Sequence, residues 1–160
     1  MSQRNETLKF IIQEARDGLL ATLARVGEGD WAKASGVEGW TVKDVLTHLA
    51  YNQPSQPRLV RNIVEGKGGV PANFDLNYYN QRGLEKQQGK GIDNLKAELT
   101  VGHAEALKLI DDLSDEQLDV KGNHPSAGFV TVAEILHMIA YHDMQHTRHI
   151  RDALMKGVTL

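Results

Sequence analysis

The chain has 160 residues, of which 41% are hydrophobic and 24% are charged, and its net charge is −3. These values are typical of one globular domain with a sizeable core. The negative charge argues against a protein that binds nucleic acid or an anionic membrane, since both need a basic surface. Cysteine is absent. Disulfides, thiolate nucleophiles and cysteine-based zinc sites are therefore excluded together.

The amino-terminal sequence MSQRNETLKF contains no apolar stretch of the signal-peptide type. No apolar run approaches the roughly 18 residues that a membrane-spanning helix needs. We therefore expect a soluble cytoplasmic protein with a single helical domain over residues 1–160.

Four segments carry apolar residues at helical spacing. The first is predicted over residues 5–26. The second begins near Thr41, and the third covers residues 92–113. The fourth starts at Thr131 and runs to about residue 156, with Gly157 as its stop.

Between these helices the sequence predicts interruptions and connections. Pro54 and Pro57 must kink or interrupt the second helix. The other connections are a turn-rich break over 66–71, an ambiguous and partly helical stretch over 75–90, a short capped turn of helix from Ser114, and a loop over 122–128. Four amphipathic helices without an alternating strand pattern predict an all-α protein, a four-helix bundle.

Histidine is the residue type most concentrated in one part of the chain. Seven histidines are present, and four of them lie between His137 and His149. Because successive helical residues turn by about 100°, His142, His146 and His149 fall on the apolar face of the fourth helix or at its margin. His137 falls on the opposite side and is predicted to be exposed.

His142 and His146 are four residues apart, so their imidazoles are neighbours on one helix face and can converge on one ion. A third ligand must come from another helix. His48 is the best candidate, since it lies near the apolar margin of the second helix beside Val45 and Asn52. Three neutral imidazoles with open positions are the pattern of a catalytic metal site. On the residues alone, buried histidines satisfied by hydrogen bonds are an equally open interpretation.

The other histidines and the tryptophans favour structural roles. His103 lies on the apolar face of the third helix and is predicted to be buried, with Asp143 as a partner. Asp143 is also a candidate for orienting a metal-binding imidazole by accepting a hydrogen bond from its other ring nitrogen. His124 lies in the predicted loop and is expected to be solvated. Trp31 and Trp40 are predicted to be packing residues.

Two segments resemble the DinB/YfiT-like superfamily of metal-dependent helical proteins. They are WTVKDVLTHL at residues 40–49 and TVAEILHMIAYHDMQHTRHIRDAL at residues 131–154. The resemblance implies a four-helix bundle and assigns the metal-ligand roles to His48, His142 and His146. Glutamine is common in the family three residues after the last ligand, where this chain has His149. The resemblance leaves open whether His149 is a fourth ligand or a donor to a bound water.

The resemblance also implies a function. Similar proteins bind zinc or nickel, and some are thiol transferases or isomerases that use mycothiol, bacillithiol or glutathione, whereas others are hydrolases. We expect a divalent-metal-dependent enzyme in which the ion activates a water or a low-molecular-weight thiol against a small-molecule substrate. Asn52, Asp143 and His149 are candidates for orienting the ligands or the substrate.

Two alternatives stay open from the sequence. One is a non-catalytic metal-binding or stress-response interaction module. The other is a purely structural helical bundle whose histidines form hydrogen bonds within the protein. Dimerisation is compatible with such a bundle, but no feature of the sequence specifies it.

Overall fold

The computed structural model describes residues 2–156. Within this range the helices are α1 (Gln3–Leu23), α2 (Val42–Asn52), α3 (Ser55–Val64), α4 (Leu76–Gln87), α5 (Ile92–Asp111), α6 (Asp115–Leu118) and α7 (Val132–Met155). A single 3₁₀ turn covers Glu28–Asp30, and two short strands are β1 (Lys121–His124) and β2 (Gly128–Thr131). None of the described helices combines the length and apolar character needed to cross a bilayer.

The long helices form the predicted four-helix bundle. Helix α1 lies along α7, α2 packs against α5 and α7, and α3, which follows α2 in the chain, also contacts α5 and α7. Helix α4 lies outside this group and packs on α2. The predicted all-α class and bundle architecture are therefore confirmed.

Capping boxes define where the helix that carries His48 and the helix that carries His142 and His146 begin. Thr41 Oγ1 accepts a hydrogen bond from the Asp44 backbone N–H at 3.1 Å, and the Asp44 carboxylate accepts one from the Thr41 N–H at 2.8 Å. Thr131 and Glu134 repeat the arrangement at 3.1 and 2.7 Å. Because these bonds satisfy N–H groups that have no partner within the helix, they fix the residues at which α2 and α7 begin.

One predicted boundary needs correction, since helix α1 ends at Leu23 rather than near residue 26. The stretch over 75–90, predicted to be partly helical, contains the regular helix α4. The proline-rich segment breaks the second helix into α2 and α3, as predicted, since Pro54 lies between them. Gly157, the predicted stop of the last helix, lies outside the described residues.

The prediction of a plain loop over residues 122–128 was wrong. Strands β1 and β2 pair there as an antiparallel hairpin, with Lys121 opposite Thr131 and His124 opposite Gly128. The strands are only four residues long and do not alternate apolar and polar residues, so periodicity could not reveal them. Gly128 has φ +74° at the end of the turn, a conformation that favours glycine.

The core consists of two apolar clusters separated by a layer of polar side chains. One cluster contains Ile63 of α3, Ile110 of α5 and Ile135 of α7, and the other contains Leu46 of α2, Leu99 of α5 and Ile150 of α7. Along α5 and along α7, the polar residues of this layer lie between residues of one apolar cluster and residues of the other. The buried side chains of this layer are His48, Asn52, Gln53, His103, Asp143, His146 and Thr147. A buried polar layer of this kind is where the chemistry of the molecule is expected.

Candidate metal centre

The structure brings His48, His142 and His146 together in the polar layer. Each offers one ring nitrogen to a group in which all three nitrogens lie within 4.8 Å of one another. Nε2 of His48 and Nε2 of His142 are 2.9 Å apart. The ring centroids of His142 and His146, one helical turn apart on α7, are separated by 4.5 Å. The three residues that sequence reasoning selected are therefore neighbours in space.

This donor set is suited to a divalent ion. Three ligand nitrogens around a tetrahedral ion at about 2.0–2.1 Å lie roughly 3.3 Å from one another. The nitrogens of His48 and His142 already lie close to that spacing, at 2.9 Å. Three neutral imidazoles carry no charge of their own, so one divalent cation would leave the centre positive and able to attract an anionic or polarisable fourth ligand.

Burial keeps these imidazoles in the neutral form that metal binding requires. Desolvation, with a smaller contribution from the nearby His142, lowers the pKa of His48 to about 3 and the pKa of His146 to about 2. Burial also lowers the pKa of His142, against a smaller opposing effect from Asp143. A proton therefore competes weakly for the nitrogen lone pairs near neutral pH.

Asn52 and His149 contact the clustered rings from outside the three-nitrogen group. The amide nitrogen assigned to Asn52 lies 2.9 Å from Nδ1 of His48, and Nδ1 of His149 lies 3.3 Å from Nδ1 of His146. If His48 binds an ion through Nε2, its Nδ1 carries the proton, and Asn52 must then turn its carbonyl oxygen toward the ring. His149 does not belong to the three-nitrogen group, and its position is that of a partner for His146.

Asp143 contacts an imidazole, but not one of the three clustered rings. Its Oδ2 lies 2.7 Å from Nε2 of His103, and its Oδ1 accepts a hydrogen bond from the Gln53 amide at 2.6 Å. His103 and Asp143 are completely buried. The prediction of a buried His103 with Asp143 as its partner is confirmed. Asp143 thus supports the centre by joining α2, α5 and α7 rather than by holding a clustered histidine.

The expectation that His124 is solvated was wrong. The hairpin carries this residue against the bundle, where its side chain is 8% exposed. Burial lowers its pKa. Its Nδ1 accepts hydrogen bonds from the backbone N–H and the hydroxyl of Ser126, both at 3.2 Å. Sequence reasoning missed it because its burial depends on strand pairing rather than on helix periodicity.

A cavity of about 340 Å³ opens beside the centre. His48 and His142 form part of its wall, and His124 forms another part. Tyr79 of α4 also lines it, and burial raises the pKa of this phenol. The volume is at the lower end of the range for small-molecule sites. Trp40 packs on the His48 ring, with centroids 4.9 Å apart, which agrees with the predicted packing role.

The sequence model of the DinB superfamily matches residues 11–150 of the chain. The chain belongs to the DinB superfamily. The matched range contains all three clustered histidines and both of their capping boxes.

Two kinds of relative accompany the family match. A protein of Oceanobacillus iheyensis named "Putative metal-dependent hydrolase OB0782" is 26% identical over 118 residues. The match covers 70% of this chain, and the chain spans only 63% of that relative. YfiT from Bacillus subtilis, described as a "probable metal-dependent hydrolase with an unusual four-helix bundle topology", superposes with a TM-score of 0.76 at 20% identity, covering 98% of this chain and 89% of YfiT.

The fold also resembles that of a mycothiol-dependent maleylpyruvate isomerase. The TM-score is 0.79 at 16% identity, and the match covers 94% of this chain but only 63% of the isomerase. At such identities the likeness to solved structures establishes the bundle fold and no more.

Proposed function

We propose that this DinB-superfamily chain is a divalent-metal-dependent enzyme that acts on a small molecule, with hydrolysis as its reaction. The observation that carries the proposal is the group of three imidazole nitrogens within 4.8 Å of one another, two of whose residues, His48 and His142, line a cavity of about 340 Å³. A zinc or nickel ion held by His48, His142 and His146 would supply Lewis-acid activation of a water. The names of the Oceanobacillus and Bacillus relatives support this reaction class.

The residues of the chain supply positioning and a dry environment. The polar layer is enclosed by the two apolar clusters, so the three imidazoles remain neutral and their ring positions are restricted by packing. Asn52 and His149 act on the rings of His48 and His146 by hydrogen bonding, which sets the tautomer of each ring. His124 faces the same cavity with a neutral ring that can donate one N–H to a substrate carbonyl.

Thiol transfer is the second candidate, and the shared fold with a mycothiol-dependent isomerase favours it. Because the chain has no cysteine, the thiol must be an external low-molecular-weight compound such as mycothiol, bacillithiol or glutathione. The pocket wall and the three histidines would serve either reaction. The two candidates differ in which co-reactant supplies the nucleophile.

Metal content is the first measurement for this proposal. Protein purified without an affinity tag should contain close to one equivalent of zinc or nickel by elemental analysis. His146→Ala should lower metal affinity sharply, whereas His137→Ala should leave it unchanged, because His137 is exposed on the same helix. Equal affinity losses in the two variants would contradict the proposed site.

Turnover then separates an enzyme from a metal-binding module. Amides and esters should be tested alone, and electrophiles should be tested with a panel of thiols. Activity that is removed by chelation and restored by zinc or nickel supports the enzyme. Equal rates for the wild type and His142→Ala would refute it and favour the non-catalytic module.

A further inference from the structure

The outward face of α7 carries a continuous apolar patch. Tyr141 and Met144 are 63% and 57% exposed. Tyr141 lines one surface groove together with Val130 and Met138, and it lines a second groove together with Met144. We call these four side chains the α7 patch. An exposed apolar patch on a soluble protein commonly marks a surface that another protein covers.

Opposite charges flank the α7 patch at equal distances. Glu134 lies seven residues before Tyr141, and Arg148 lies seven residues after it. Because an α-helix drifts by only about 20° over seven residues, the three side chains lie on one stripe of α7. Glu134 and Arg148 are exposed, and neither forms a salt bridge with another residue in the described range 2–156. Glu134 caps α7 through Oε2, so its other carboxylate oxygen can accept from a cation of a second molecule.

This arrangement is self-complementary. When a second α7 packs antiparallel about a two-fold axis at Tyr141, each residue meets the residue equally far from Tyr141 on the other side. Met144 then faces the partner's Met138, and Arg148 faces the partner's Glu134. A parallel arrangement would instead place each of these charges opposite its own copy, which like-charge repulsion disfavours. The positions of the charges therefore favour an antiparallel pair.

We propose that the α7 patch is the interface of a homodimer in which two α7 helices pack antiparallel about Tyr141. Helix α7 has 24 residues, so it presents a face about 36 Å long and roughly 10 Å wide. This face is about half of the roughly 800 Å² per chain that a stable interface buries. The dimer is therefore weak, with a dissociation constant on the order of micromolar. None of the three clustered histidines belongs to the α7 patch, so dimerisation does not require a metal ion.

Sedimentation velocity over a range of protein concentrations tests for the dimer. The wild type should change from monomer to dimer between about 0.1 and about 100 µM, as a micromolar dissociation constant requires. Tyr141→Asp places two carboxylates at the two-fold axis and should remain monomeric throughout. Val101→Asp is the control, because Val101 is 58% exposed on α5 and lies outside the α7 patch. A wild type that stays monomeric at about 100 µM, or equal dimerisation of the two variants, would overturn the proposal.

Charge reversal tests the antiparallel arrangement. Arg148→Glu places a carboxylate opposite the partner's Glu134 and should weaken dimerisation by about tenfold, since each dimer contains two such pairs. Adding Glu134→Lys exchanges the two charges and should restore the wild-type dissociation constant. In a parallel dimer both variants would keep like charges opposite each other. An unchanged dissociation constant in Arg148→Glu, or a folded double variant that does not recover, would overturn the antiparallel arrangement.

Tyr141→Cys tests the position of the axis without altering the charges or the cap that Glu134 provides. The chain has no cysteine of its own, and a residue on the two-fold axis meets its own copy. Mild oxidation of Tyr141→Cys should therefore give a disulfide-linked dimer on a non-reducing gel, whereas Val101→Cys should not. If the double charge variant does not fold, as judged by circular dichroism, this result decides. Equal cross-linking of the two cysteine variants would overturn the proposed interface.

Discussion

His103 of α5 and Asp143 of α7 are joined by a hydrogen bond of 2.7 Å, and neither side chain is exposed to solvent. The other carboxylate oxygen accepts a hydrogen bond of 2.6 Å from Gln53, the residue that follows α2. One carboxylate therefore links the helix that carries His48 to the helix that carries His142 and His146. It does so one residue away from a clustered histidine.

Replacing Asp143 by Ala should destabilise the protein by about 3–5 kcal/mol, because the donors of His103 and Gln53 would stay buried without a partner. The free energy of unfolding in urea measures this loss. Asp152→Ala is the control, since Asp152 is exposed on the same helix, and its effect should stay within about 0.5 kcal/mol. A loss below about 1 kcal/mol for Asp143→Ala would mean that the network contributes little.

Replacing Asn52 by Leu should weaken zinc affinity by about 10–100-fold, because His48 would lose the polar group that contacts its Nδ1. Asn52→Asp should retain the affinity or improve it, since a carboxylate accepts the Nδ1 proton of a ligand histidine. Calorimetric titration with zinc compares the two. Unchanged affinity in Asn52→Leu would show that the ring of His48 needs no such partner.

The metal-free protein should lose stability as the pH falls below about 6.5, the reference pKa of histidine. His48 and His146 have pKa values of about 3 and about 2 in the folded state. The unfolded chain therefore binds protons in this range that the folded chain does not. The free energy of unfolding must then decrease as the pH falls. The expected loss between pH 7 and pH 5 is about 2 kcal/mol for each buried histidine.

Urea unfolding of chelator-treated protein at several pH values measures this dependence. His48→Gln should reduce the pH dependence of the free energy of unfolding, whereas His137→Gln should not, because His137 is exposed. A free energy of unfolding that is independent of pH over this range would contradict the lowering of these histidine pKa values by burial.

Two glycines in helix interiors should respond to alanine in opposite directions. A Cβ on Gly102 of α5 would lie 2.6 Å from Cβ of Gln53 and 3.1 Å from its carbonyl carbon, whereas a Cβ on Gly18 of α1 meets no atom within 4 Å. Gly18→Ala should stabilise the protein by about 0.5–1 kcal/mol through helix propensity. Gly102→Ala should destabilise it by about 1–3 kcal/mol through overpacking. Thermal unfolding of both variants provides the measurement, and the same sign in both would contradict the close approach of α5 to the end of α2.

Helix positions and helix faces could be predicted from the sequence because both depend on local periodicity and capping. The capping boxes at Thr41 and Thr131 locate the starts of α2 and α7, and the four-residue spacing places His142 and His146 on one face. The same periodicity predicts that His137 is exposed and His103 is buried, and both expectations hold. His48 was selected by its position at an apolar margin and by the family resemblance.

Only the tertiary structure decided which groups meet across helices. The sequence offers Asp143 either as a partner of His103 or as a group that orients another imidazole, and the structure decides for His103. The hairpin carries His124 into the cavity wall although its strands have no apolar alternation. Such contacts join residues far apart in the chain, and the packing of whole elements determines them, so no local pattern in the sequence could specify them.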